Sequence, residues 1–126
     1  MINVDKQIQY WVKGADSNLE TAEILIANKK FLEGLFFCHL TIEKIIKAHV
    51  AKTTKDIPPR SHKLFLLLEK TNITISEVNK SFLGILMQYQ LEGRYPEHYP
   101  SIPSIEQTYD YLRKTKKLLQ WFKKKL

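Results

Sequence analysis

A chain of 126 residues fits one domain, expected to span residues 1–126, and is long enough to bury roughly two-thirds of the surface its unfolded form exposes. With 44% hydrophobic and 26% charged residues, it lacks the polar, one-signed composition of a disordered chain. The formal net charge of +7 is unevenly placed: residues 1–110 carry thirteen basic and thirteen acidic side chains, and the excess lies in Arg113, Lys114, Lys116, Lys117, Lys123, Lys124 and Lys125.

Two readings of that C-terminal stretch stand side by side. A run of one sign suits a polyanion such as RNA, with Lys116 and Lys117 as candidate contacts, or an acidic protein surface. Lysines near the end of a helix are also what the helix dipole favours on a merely solvated face. The single cysteine, Cys38, excludes an internal disulfide and leaves too few thiols for a cysteine-based zinc site, which points to a reducing compartment. The opening residues lack the features of a secretory signal, and no apolar run reaches the ~20 residues of a membrane helix. A cytoplasmic location with no membrane partner is expected.

From about Val4 to Asn28, Val4, Ile8, Trp11, Ala15, Leu19, Ala22 and Ile26 recur at steps of three and four, which predicts an amphipathic helix. A second helix, about Phe31 to Thr53, has the same spacing in Phe31, Leu35, Cys38, Ile42, Ile45 and His49. It adds Phe36, Phe37, Leu40 and Ile46 around its circumference, so it is expected to be central or buried against a second subunit. Pro58-Pro59 ends that segment. A short helix from about His62 to Lys70 follows, with Ser61 as its N-cap.

Ser76 opens a fourth helix with a stripe of Val78, Phe82, Ile85 and Tyr89, ending near Leu91-Glu92-Gly93, where Gly93 can act as a left-handed stop. Arg94 to Pro103 holds three prolines and is expected to be irregular. Ser104 and Gln107 form a capping box, and Ile105, Thr108, Leu112, Thr115, Leu119, Phe122 and Leu126 carry the last helix to the C-terminus. The expected fold is all-α: an up-and-down four-helix bundle with one additional short helix.

The pattern of Trp11, Ala15-Asp16, Leu19 and Ala22 leads into Phe37-Cys38-His39-Leu40-Thr41-Ile42-Glu43-Lys44-Ile45-Ile46-Lys47-Ala48. Ser61-His62-Lys63-Leu64 and Gly93-Arg94-Tyr95-Pro96 come after it, and the whole resembles the HEPN domain of prokaryotes. The resemblance implies a helical bundle that dimerises and is often encoded beside a minimal nucleotidyltransferase. It also implies either an RNA-cutting toxin of a toxin–antitoxin pair or a non-catalytic binder of nucleotides or RNA. An accessory subunit that binds the nucleotidyltransferase is the alternative. The catalytic branch carries Arg-x4-6-His near the start of the final helix, whereas only three residues, Tyr95-Pro96-Glu97, separate Arg94 and His98 here.

Metal-independent RNA cleavage needs a base for the 2′-hydroxyl proton and a cation on the phosphate. Histidine and arginine suit these roles, which makes His98 and Arg94 the candidate catalytic pair. The competing reading is that Arg94 ties the loop to a helix C-terminus or a carboxylate while His98 is simply exposed. Glu43, Lys44 and Lys47 are candidate nucleotide- or RNA-binding residues; the competing reading is that, with His39 one turn before Glu43, they form a partly buried network in which Glu43 holds Arg94 or Lys47. A His–Glu pair on one helix is a weak metal signal, so no metal or cofactor is expected.

His49 is expected to pack, and His62 to be a capping or loop residue. Trp11, Phe36, Phe37, Tyr89 and Trp121 are core residues or stacking faces for bases. Tyr95, Tyr99, Tyr109 and Tyr111, around the proline loop, are candidates for exposed contacts. The resemblance also offers them as targets of modification by the partner nucleotidyltransferase.

Overall fold

The structure is a computed structural model describing residues 2–126, and its elements follow the chain in a simple order. α1 (Val4–Ala27) and α2 (Phe31–Thr54) form a helical hairpin, followed by short α3 (Leu64–Glu69), α4 (Glu77–Met87) and α5 (Ile105–Lys124). The described residues contain no strand, and the fold is the expected bundle with one additional short helix. No described helix is long and apolar enough to cross a membrane.

α2 is the axis of the molecule. Leu35, Cys38, Ile42, Ile45, Ile46 and Ala48 are buried, because α1, α5, α3 and α4 all pack on it. Its apolar circumference is thus consumed within one chain and does not itself call for a second subunit. The α1–α2 hairpin closes tightly at Gly34, where an added Cβ would overlap Ile26 Cγ1 and lie 3.3 Å from the Ala22 carbonyl oxygen. The connection is short, with Lys29 in the left-handed region at φ 63°.

Helix starts at α1, α4 and α5 follow ordinary capping chemistry. Asn3 accepts from the Lys6 amide, Ser76 from Asn79 and Ser104 from Gln107. The reciprocal half of the expected capping box is absent, since the Gln107 side chain reaches Asp110 instead, at 3.4 Å. Within α5, buried Thr108 and Thr115 satisfy their hydroxyls on the carbonyls four residues back, each at 2.8 Å.

Several expectations need correction. The third helix begins at Leu64, so His62 lies outside it, and Ser61 accepts from the Lys63 amide in a local turn and caps no helix. α4 stops at Met87, short of Leu91: Gln88, Tyr89 and Gln90 donate three residues back, tightening the chain out of the α-helix. Gly93, at φ 80°, serves the turn that follows. Val78 is exposed on α4 while Leu83 and Leu86 are buried, because this helix turns its core face toward α2 and α3. The proline loop holds one 3-10 turn, Pro96–His98, closed by the Tyr99 amide on the Pro96 carbonyl at 3.1 Å.

Candidate phosphate groove at His62

The central helix places His39, Glu43 and Lys47 one turn apart, on the face covered by the segment before α3. Glu43 is almost fully buried and receives the Lys47 ammonium at 3.0 Å on one oxygen and His62 Nδ1 at 2.9 Å on the other. His39 Nε2 donates to the His62 carbonyl oxygen at 3.2 Å. His62 is therefore held twice by α2, by its backbone through His39 and by its ring through Glu43, and this is why it is not helical.

A buried carboxylate already neutralised by Lys47 is a sound acceptor for an imidazole N–H, and it fixes the ring with Nε2 directed outward. His39 completes the support as a neutral base: burial pushes it down to about 4, against the opposing pull of the Glu43 carboxylate. Its Nδ1, facing Glu43 at 3.8 Å, makes no hydrogen bond. Lys47 also lies over the Trp11 ring at 5.1 Å, which covers the buried pair from the α1 side.

Above His62 opens a groove of about 400 Å³ lined by Arg60, Ser61, His62 and Lys63 on one wall and by Met87, Gln90, Glu92 and Arg94 on the other. Three permanent cations face it, and the one acid on its walls, Glu92, contacts His62 Nε2 at 3.1 Å. Arg94 donates to the Gln88 carbonyl at 3.2 Å and to that of Met87 at 3.5 Å, satisfying the last acceptors of α4. This is the helix-end anchor that the sequence offered as one reading of Arg94, and the residue also lines the groove.

The other expected site residues are dispersed. His98 is exposed in the 3-10 turn, lies outside the groove lining, and its side chain has no hydrogen-bond partner among the described residues. Tyr95 is exposed, and Tyr99 and Tyr109 are partly so, whereas Tyr111 packs between Phe82 and Tyr89. Glu43 and Lys47 form the expected network, but Lys44 folds over Gly14 of α1, on another side of α2.

The basic stretch of α5 is not one-signed in space. Arg113 and Lys114 pair with Asp110, Lys116 with Glu23 and Lys123 with Asp16, the last at 2.7 Å. Lys117, by contrast, borders an apolar groove of about 500 Å³ between α4 and α5 with Phe82, Ile85 and Trp121. No group of three or more His, Cys, Asp or Glu side chains is placed to hold a metal ion among the described residues. The residue that sequence reasoning undervalued is His62, whose only signal was its place in Ser61-His62-Lys63-Leu64.

Comparison with known proteins agrees with this architecture. A search of curated proteins finds no match. The crystal structure of TT1696 from Thermus thermophilus is similar, with a TM-score of 0.78 over 95% of this chain and 98% of that one. At 20% identity the likeness speaks for the fold alone. The family model of the HEPN domain matches residues 8–126, nearly the whole chain and every element that builds the groove. The chain belongs to the HEPN domain family, whose general activities are RNA cleavage and nucleotide binding.

Proposed function

We propose that this HEPN protein binds RNA or nucleotides by their phosphates in the groove between Arg60–Lys63 and Glu92–Arg94. The observation that supports this most is a groove lined by Arg60, Lys63 and Arg94 together with an imidazole held from behind by a buried carboxylate. Guanidinium groups bind phosphate oxygens through paired donors, and a fixed imidazole adds a directional one at Nε2 when it carries both protons. Exposed Tyr95 and Tyr99, on the loop that follows Arg94, are stacking faces for a base beside that phosphate.

Family membership supports the wider role: one member of a toxin–antitoxin pair with a minimal nucleotidyltransferase, acting as a homodimer. Arg94 is the phosphate cation of this reading, and His98 is the exposed histidine that would take the 2′-hydroxyl proton in a cleaving enzyme.

The test is binding and cleavage of single-stranded RNA, with chelator present, by the unmodified protein and by Arg94→Ala and His98→Ala. Binding lost in Arg94→Ala supports the groove; binding unchanged in that variant contradicts it. Loss of cleavage in His98→Ala with binding kept assigns the ribonuclease branch, and no cleavage by the unmodified protein assigns the non-catalytic one. Sedimentation at micromolar concentration should give about twice the 14.9 kDa monomer mass, and a monomer throughout contradicts the dimer.

A further inference from the structure

The contact between Glu92 and His62 is unlike the others in the groove. Glu43 is buried and immobile, but Glu92 sits in the turn after α4 with its side chain 62% exposed, next to Gly93 at φ 80°. Its carboxylate costs little to move, and its backbone amide is anchored separately on Gln90 Oε1 at 2.6 Å. With Nδ1 donating to Glu43, Nε2 becomes a second donor only when the ring carries both protons, and in this structure an exposed carboxylate of the same chain faces that position.

We propose that His62 Nε2 is a phosphate-oxygen contact and that the Glu92 carboxylate occupies the ligand's place until a terminal phosphate displaces it. This rests on the reading of the groove as a nucleotide or RNA site. A phosphate monoester is the chemistry that fits. With Glu92 swung out, Arg60, Lys63 and Arg94 face the groove with no acid on its walls, and Glu43 beneath is matched by Lys47. Such a surplus favours a dianion over the single charge of an internal phosphodiester. A monoester has two sources, a free nucleotide or the 5′ end of an RNA.

Because the competent state is the one with Glu92 displaced, removing that side chain raises apparent affinity by the inverse of the fraction of time the groove stands open. The experiment is calorimetric titration of adenosine 5′-monophosphate into the unmodified protein, Glu92→Ala, Glu97→Ala and Arg94→Ala at one salt concentration. Adenosine is the uncharged control, and a 2′-O-methyl RNA with and without a 5′-phosphate is titrated alongside. Glu92→Ala is expected to bind the monophosphate about tenfold tighter, adenosine no tighter, and Glu97→Ala to match the unmodified protein.

A 5′-phosphate effect on the RNA that grows in Glu92→Ala identifies the RNA end as the source. Tightening confined to the mononucleotide identifies the free nucleotide. Equal affinities of Glu92→Ala and the unmodified protein, or the same tightening in Glu97→Ala, overturn the displacement. If that happens while Arg94→Ala still loses binding, the groove stands and only the role of Glu92 falls. Unchanged binding in Arg94→Ala removes both.

Discussion

Glu43 and His62 are nineteen residues apart and meet at 2.9 Å, joining the middle of the central helix to the segment that precedes α3. This contact gives the groove a rigid floor, since the walls on either side are turns and the carboxylate beneath is almost fully buried. Removing the carboxylate therefore has two effects, one on the fold and one on the ring. Glu43→Ala leaves the Lys47 ammonium buried without its partner, and we expect a loss of about 3 kcal/mol in urea unfolding. A loss below about 1 kcal/mol would show that the pair does not hold the segment.

Acid should unfold the protein earlier than its carboxylates alone require. Burial depresses His39 to about 4 from the ordinary 6.5, and burial also depresses His49, whose ring contacts the Phe122 carbonyl at 2.8 Å. The unfolded chain takes up these protons below about pH 6.5 while the folded one resists, so stability is full above 6.5 and falls as the pH drops toward 4. The His39 contribution to that loss is about 3 kcal/mol. Urea midpoints measured between pH 7 and 4.5 should decline, and His39→Gln should flatten the decline; a midpoint independent of pH over this range contradicts it.

Gly34 is the place where α1 and α2 come closest. A methyl group there collides with Ile26 and approaches backbone at Ala22, so the modest helix-propensity gain of alanine is outweighed. Gly34→Ala should cost about 2 kcal/mol, read from chemical unfolding. Gly84→Ala on α4, where an added Cβ meets nothing within 4 Å, should be neutral or slightly stabilising. Equal effects at the two positions would mean that the hairpin is looser than described.

Cys38 reports on the same core. Its thiol is buried and pushed up to about 12, chiefly by that burial, so the nucleophilic thiolate is suppressed. It should react with a thiol reagent only through unfolding, at a rate that rises in Gly34→Ala. Rapid modification of the folded, unmodified protein would contradict the packing.

The helices were legible because periodicity is local: α1, α2 and α5 begin and end within a residue or two of where their apolar spacing and caps put them. α4 was misread because Phe82 and Tyr89 suit a continuing stripe, whereas three-residue hydrogen bonds end the helix at Met87. The groove was less legible, because its walls are brought together by contacts across long separations. Nothing near His62 in the sequence reveals that Glu43 orients it or that Glu92 faces it. The lysines of α5 misled in the opposite way, since Asp16 and Glu23 neutralise two of them from a helix about a hundred residues earlier.

The central claim is that phosphate binds in the groove around His62 and Arg94 and not along the basic surface of α5. Backbone amide NMR spectra recorded during titration with adenosine 5′-monophosphate test it most directly. We expect the largest shifts at Arg60 to Lys63 and Gln90 to Arg94, with Lys116 to Lys124 little changed. Shifts concentrated on Lys116 to Lys124, or no saturable shift in either segment, would contradict the account.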